Sequence, residues 1–519
     1  MLPELAAVLA AAAGRAYAEP PGGGPALLDA ACGYFGRRGL PGERAQVAAA
    51  PGAPLLLLAL SAAVGGDVLL PRPCAAWWAP GDRLLGQGTF HVPTPAECGG
   101  VPDPYALLET VRRVRAEGGD PRLLVLSVAD DPTGTVPPPE VLHEAVEAAA
   151  GEGLHIVADE TWRDTVHGAS DEARQPVQPH SARPSAGQPG TLGHRAPGPG
   201  SHAARPGGDS GSPRRSAGES GASGPGAPGA GALDAGPHEA GPSAADEARG
   251  RGWSGPARQP ADVPGGAGSG APGTTRPGVP QQSPDVLISP AEMLPGQVTL
   301  LTDLSGAFLP ADWPAAVARF PDTAAGAVLR ARTLDVLTAL GAIVAAPVAA
   351  AAAHALGEPE EVTARLTAAA RLHARVAGAA YRAVRAAGGH ARPPQAGRHL
   401  YADLEPLRSA LGARSVADAI ELEDHLTDRL GMPVAGGHRF GDALGALRVR
   451  LSTGPLIGAT DQERLESLTS PEPLELPHVR RALSMLGSTL DDLRADARER
   501  EEAERADAAL DAQRMEPPR

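Results

Sequence analysis

Two carboxylates stand where an open α/β sheet would put a ligand. Asp131, in the run Asp131-Pro132-Thr133-Gly134-Thr135, directly follows the apolar stretch at 123–128, and Asp159, in Ala158-Asp159-Glu160-Thr161-Trp162, closes a second one at 155–158. In such sheets ligands sit beyond the carboxyl ends of the strands. A carboxylate at that place can hold a protonated ring nitrogen. Each motif also has a plainer use, because Pro-Thr-Gly makes a turn and an aspartate after a strand caps a helix.

Lysine is missing altogether. All 46 of the Lys+Arg residues are arginine, so the chain has no side-chain amine able to form a Schiff base. Arginine cannot replace it, since a guanidinium stays protonated and non-nucleophilic. A composition rich in Ala, Gly, Pro and Arg accounts for arginine on the surface, but not for losing a lysine that chemistry requires. His155, His167 and His399 remain as candidate bases, each with a structural use as the alternative.

The net charge of −15 argues against nucleic-acid and membrane-surface roles, both of which need basic patches. Small molecules or protein partners fit better. Cys32, Cys74 and Cys98 are too few and too scattered for a disulfide framework or a metal site, which points to a reducing cytoplasm. The run at 54–64 is far shorter than the roughly 20 residues of a spanning helix. The Ala-rich start carries Glu4 and no early positive charge, unlike a signal peptide.

The elements that must position these groups alternate in type. Short apolar runs at 68–70, 123–128 and 155–158 are separated by helix-length segments, which predicts an α/β layer with a mostly parallel central sheet. From 169 to 285 the chain turns to Gly, Pro, Ser, Ala, Arg and His, with ten acidic and ten basic residues and no hydrophobic period. This predicts a near-neutral disordered insert. Another strand follows at 298–301, then Ala-rich helices over 324–387. A strand–helix–strand segment at 398–455 indicates a smaller α+β C-terminal domain, and a helix starts near Pro477, its part at 494–508 projecting into solvent. The expected organisation is a large domain at 1–168 and 286–345, the insert at 169–285, the small domain at 346–476, and a terminal helix with charged tail at 477–519.

The two acidic motifs, in this order and at this spacing, resemble those of class I and II aminotransferases, which are fold type I pyridoxal-phosphate enzymes. The stretch 47–78 is similar to the family's phosphate-loop helix and the strand after it, with Pro51-Gly52-Ala53 and then Gly66-Asp67-Val68-Leu69-Leu70-Pro71. Leu447-Arg448-Val449-Arg450-Leu451-Ser452 resembles the strand that carries the arginine for the substrate α-carboxylate. The likeness spans roughly 17–168 and 290–458.

The resemblance implies that Asp159 pairs with the pyridine nitrogen, Gly52 and Ala53 meet the phosphate, and the Asp131 turn faces the ring hydroxyl. It places Trp162 where the family has a tyrosine, Ser305 beside the cofactor, and Arg450, or Arg448 in the competing register, on a small amino-acid-like ligand. It also implies a homodimer. The chain departs from the pattern where chemistry is done: Gly306 occupies the Schiff-base lysine position, Trp313 falls about where the phosphate-binding arginine belongs, Ala75 replaces the stacking aromatic, and Asp131 replaces an asparagine. Any pyridoxal phosphate would therefore be held noncovalently. The expected protein is a degenerate aminotransferase, with a lysine-independent enzyme or a noncatalytic partner subunit as the alternatives.

Overall fold

The structure, a computed structural model, describes residues 3–14, 18–168 and 287–515. The segment read as a disordered insert, 169–285, lies outside the described residues. The chain opens with helices α1 (Pro3–Ala12) and α2 (Pro25–Arg37). It continues through β1 (Val47–Ala50), α3 (Ala53–Val64), β2 (Asp67–Arg72), α4 (Trp78–Leu84), β3 (Thr89–Pro93), α5 (Pro104–Ala116), β4 (Pro121–Ser127), α6 (Pro139–Gly151) and β5 (His155–Asp159). After residue 286 come α7 (Pro290–Met293), β6 (Val298–Asp303), β7 (Ala316–Arg319), α8 (Ala324–Ala339), α9 (Ala346–Leu356) and α10 (Glu360–Ala386).

Among the described residues these strands form one seven-stranded sheet in the order β1-β7-β6-β5-β4-β2-β3. Strands β6, β5, β4, β2 and β3 run parallel, and β7 runs against both of its neighbours. The sheet is thus mostly parallel, as the alternation predicts. Its central strands are apolar on both faces: Leu124 and Leu126 of β4 enter one core, while Leu123 and Val125 enter the other. Burial on both faces explains why these strands read as continuous apolar runs. Helix α3, apolar all round its circumference, is buried against the second face.

Strands β1, β3 and β7 were not expected from the sequence. The runs Val47-Ala48-Ala49-Ala50 and Ala316-Val317-Ala318-Arg319 are mostly alanine, a helix former with little strand preference of its own. Pairing with each other and with β6 overrides that preference.

The second sheet is built from β8 (His390–Ala391), β9 (His399–Asp403), β10 (Ala435–Gly436) and β11 (Arg448–Ser452), antiparallel throughout in the order β10-β11-β9-β8. Helices α11 (Arg408–Ala413), α12 (Ala419–Leu430), α13 (Asp461–Thr469) and α14 (Pro477–Met515) complete this part. Leu372, Val376, Ala380 and Val384 of α10 join Leu400, Val449 and Leu486 in its core. Helix α14 packs further than its composition suggests. Leu493 and Ala497 are buried and Asp496 pairs with Arg414 at 2.8 Å, so the expected solvent-projecting stretch begins only past Ala497.

Candidate functional site

Three adjacent parallel strands end in acids on one edge of the large sheet: β4 leads into Asp130 and Asp131, β5 ends at Asp159, and β6 ends at Asp303. The second sheet faces that edge with β9 and β11, whose pairing sets Ser452 opposite His399 and Arg450 opposite Tyr401. Between them lies a cavity of about 750 Å³, lined by Asp131, Asp159, Asp303, Ser305, Trp162 and Arg450 together with Trp77, Arg398, His373 and His399. The volume suits a small molecule.

Asp159 is buried and accepts hydrogen bonds from the Thr161 amide at 2.9 Å and the Trp78 indole at 3.2 Å. Burial pushes its carboxyl up to about 6, against those hydrogen bonds. Trp78 is itself fully buried, so it fixes this carboxylate from beneath while Trp77 lines the cavity. Ala75 is buried in the core and presents no ring. Trp162 lines the cavity with its ring edge-on to His399, the centroids 5.8 Å apart.

Asp131 and Arg450, given separate ligand roles by the resemblance, are bonded to each other. Arg450 Nη1 donates to Asp131 Oδ1 at 2.7 Å. Burial opposes ionisation of Asp131, but the His399 ring and the Arg450 guanidinium outweigh it and hold the carboxyl below its usual range. His399 is pulled down to about 3 by burial, so at neutral pH Arg450 and, less strongly, Arg398 supply the balancing charge. Of the two competing arginines, Arg450 lines this cavity, whereas Arg448 is held by Asp403 and Asp442, each at 3.1 Å, and lines a second cavity. The neighbouring Asp130 is an internal anchor: it accepts from Ser127 and from Thr133, and burial pushes it up to about 7.

The other end of the cavity is arranged differently. Gly52 caps α3 at φ 99°, and the next amide, Ala53 N–H, donates to Asp303 Oδ2 at 2.8 Å. The same Asp303 accepts through Oδ1 from the amide of Ser305 at 2.7 Å and from its hydroxyl. A carboxylate is at home on a helix N-terminus. Gly306 has φ 95°, in the left-handed region that favours glycine, and a Cβ added to it would come within 3.2 Å of Arg398 Nη2. Trp313 packs against the first core.

The candidate bases separate by environment. His155 bonds Thr299 at 2.9 Å and is pulled by burial to about 4. His167 faces the carbonyls of Pro394 and Gly397, where it holds a loop. Only His399 of the three lines the cavity, joined by His373, which bonds Thr453 at 2.7 Å and is pulled by burial to about 3. Sequence reasoning gave no role to Arg398, Asp303 or His373. Asp303 carried a usable signal, an acid at a strand end like Asp131 and Asp159. Arg398 and His373 carried none, because only the meeting of the two sheets brings them here.

Measured against pyridoxal phosphate, the residues present fit one end of the group and not the other. Asp159 suits a ring nitrogen. The Ala53 amide, which the resemblance assigns to the phosphate, is already taken by the Asp303 carboxylate, whose charge opposes a phosphate. No arginine is bonded there to offset it among the described residues. The site as built therefore does not fit the whole cofactor.

Residues 4–186 match the family described as aminotransferase class I and II. A probable aspartate/prephenate aminotransferase of Thermus aquaticus is 32% identical over 162 residues, which cover 30% of this chain and 41% of that relative. The chain thus aligns with well under half the length of that relative. Among solved structures, an aspartate aminotransferase tetra mutant of Thermus thermophilus superposes with a TM-score of 0.58 at 17% identity, over 94% of this chain and 92% of that one. The aspartate aminotransferase of Rhizobium meliloti gives 0.58 at 12%, over 94% and 88%. The aromatic aminotransferase of Pyrococcus horikoshii gives 0.57 at 13%, over 96% and 92%.

Proposed function

We propose, from the premise that this chain has the class I and II aminotransferase fold, that it keeps the scaffold and a small-molecule cavity but does not carry out transamination. That family normally depends on pyridoxal phosphate. The observation that carries the reading is that the chain contains no lysine, and the resemblance puts Gly306 at the Schiff-base position. Without that amine there is neither a covalent anchor nor the base that moves the α-proton. The Asp303 carboxylate on the Ala53 amide and the Asp131 carboxylate on Arg450 support the same conclusion, since each occupies a group that a cofactor or substrate would need.

A noncovalent pyridoxal or pyridoxamine phosphate enzyme is the second reading, and Asp159 is the residue in its favour. On the first reading the protein is a pseudoenzyme, able to serve as a noncatalytic partner of an intact aminotransferase. The resemblance supports a homodimer, and the three free cysteines support a cytoplasmic protein. The proposed partition is a large domain at 1–168 and 286–345, a small one at 346–476, and the helix and tail from 477. No helix among the described residues is long and apolar enough to cross a membrane.

The test is to incubate purified protein with pyridoxal phosphate and an amino-acid mixture, follow absorbance and oxo-acid formation, and reduce with borohydride. We expect no covalent labelling of any side chain and no oxo acid. Sustained amino-group transfer by the purified chain would overturn the reading.

A further inference from the structure

Arg398 immediately precedes β9, and its guanidinium lies within the cavity. Its space exists because residue 306 is glycine: the nearest atoms to a Cβ there are the three terminal atoms of this guanidinium, at 3.2 to 3.6 Å. Among the described residues Arg398 makes no side-chain hydrogen bond or ion pair, and its only aromatic neighbour is the Trp162 ring, 5.0 Å from Cζ. Burial disfavours its charge while the nearby Asp131 carboxylate supports it, so what this partly buried guanidinium lacks is a hydrogen-bond partner for its donors.

The other charges lining the cavity have partners. Arg450 is bonded to Asp131, Asp303 is engaged by Ala53 and Ser305, Asp159 by Thr161 and Trp78, and Arg464 by the Gly458 carbonyl with Asp461 at 3.9 Å. Of these charged side chains, only Arg398 has no hydrogen-bond partner among the described residues. The same cavity also has apolar lining from Trp77, Trp162, Val434, Pro455 and Ile457.

We infer that this cavity is a receptor site for a small, singly charged carboxylate with a flat or apolar body, and that Arg398 is the residue that binds its carboxylate. The inference rests on the reading that pyridoxal phosphate is not housed here. A planar guanidinium whose donors are unpaired takes a carboxylate in a two-bonded fork. A phosphate would bring a second charge into a cavity lined by Asp131, Asp159 and Asp303, so it is disfavoured. The aromatic rings supply contact area for the ligand body.

Phenylacetate is a suitable probe, read by tryptophan fluorescence and by the thermal unfolding midpoint of the full chain, with inorganic phosphate and pyridoxal phosphate as comparators. Phenylacetate should bind saturably and raise the midpoint. Arg398→Gln should weaken binding at least about tenfold, and Arg398→Lys should restore part of it. Gly306→Ala, which presses on the guanidinium without removing its charge, should also weaken binding, and it carries the test if Arg398→Gln does not fold. The inference is overturned by no saturable binding up to about 10 mM, by unchanged affinity in Arg398→Gln, or by tighter binding of either phosphate compound. Amino-group transfer by the same preparation would sink the non-transaminating reading whether or not phenylacetate binds. Absent transfer with absent phenylacetate binding would sink this inference alone.

Discussion

The two ends of one cavity have been treated differently. At the Asp159 end the acid, the strand that carries it and the buried indole beneath it form a continuous piece of the large core. At the Gly306 end the elements are still present, but the charges differ from the family's pattern, with a carboxylate on the α3 amide and an arginine in the space above a glycine. Groups rooted in the core are held by packing, because replacing them costs stability. Groups that only face the cavity can be exchanged at less cost to packing.

That contrast is open to measurement. Trp78→Ala should cost about 3–5 kcal/mol in urea unfolding, since it empties a fully buried site and strips a donor from Asp159. A loss below about 1 kcal/mol would show that this end is not rooted in the core after all. Asp130→Asn sharpens the same point through pH. In the native protein Asp130 holds its proton to about 7 against an ordinary 3.8. The native state therefore binds more protons than the unfolded chain between those values, and wild-type stability falls as pH rises through them. The stability of Asp130→Asn relative to wild type should climb between about pH 4 and pH 7 by up to about 4 kcal/mol, and stay flat outside that window. A flat difference throughout would mean that Asp130 is ionised normally.

The smallest effect is expected at the altered end. Gly306→Lys should lose only about 1–2 kcal/mol, from the left-handed backbone and the nearby guanidinium. Adding Arg398→Ala should recover part of that loss, a coupling visible in a double-mutant cycle. Additive effects would mean that the two positions do not share space.

Much of the fold was legible because burial writes itself into sequence. The apolar runs of β4 and β5 and the amphipathic and Ala-rich helices follow from which faces are buried, and the acids at the strand ends follow from sheet geometry. What could not be read was whatever depends on the second sheet closing over the first. Spacing along the chain does not reveal that Asp131 meets Arg450, 319 residues away. Nor does it reveal that Asp303 binds the Ala53 amide 250 residues earlier. The alanine strands β1 and β7 escaped for a related reason, since their pairing rather than their residues makes them strands. The chain also contains no asparagine, so the acid at position 131 belongs to a composition that excludes the family's residue everywhere.

The closeness of Gly306 to Arg398 also couples what the two positions can become. Any side chain placed at position 306 meets the guanidinium at about 3.2 Å, so either Arg398 shifts by a few tenths of an ångström or position 398 changes as well. A change at 398 alone supplies no amine. The two positions thus form an interlock, in which a side chain at 306 and an arginine in this pose at 398 compete for one space.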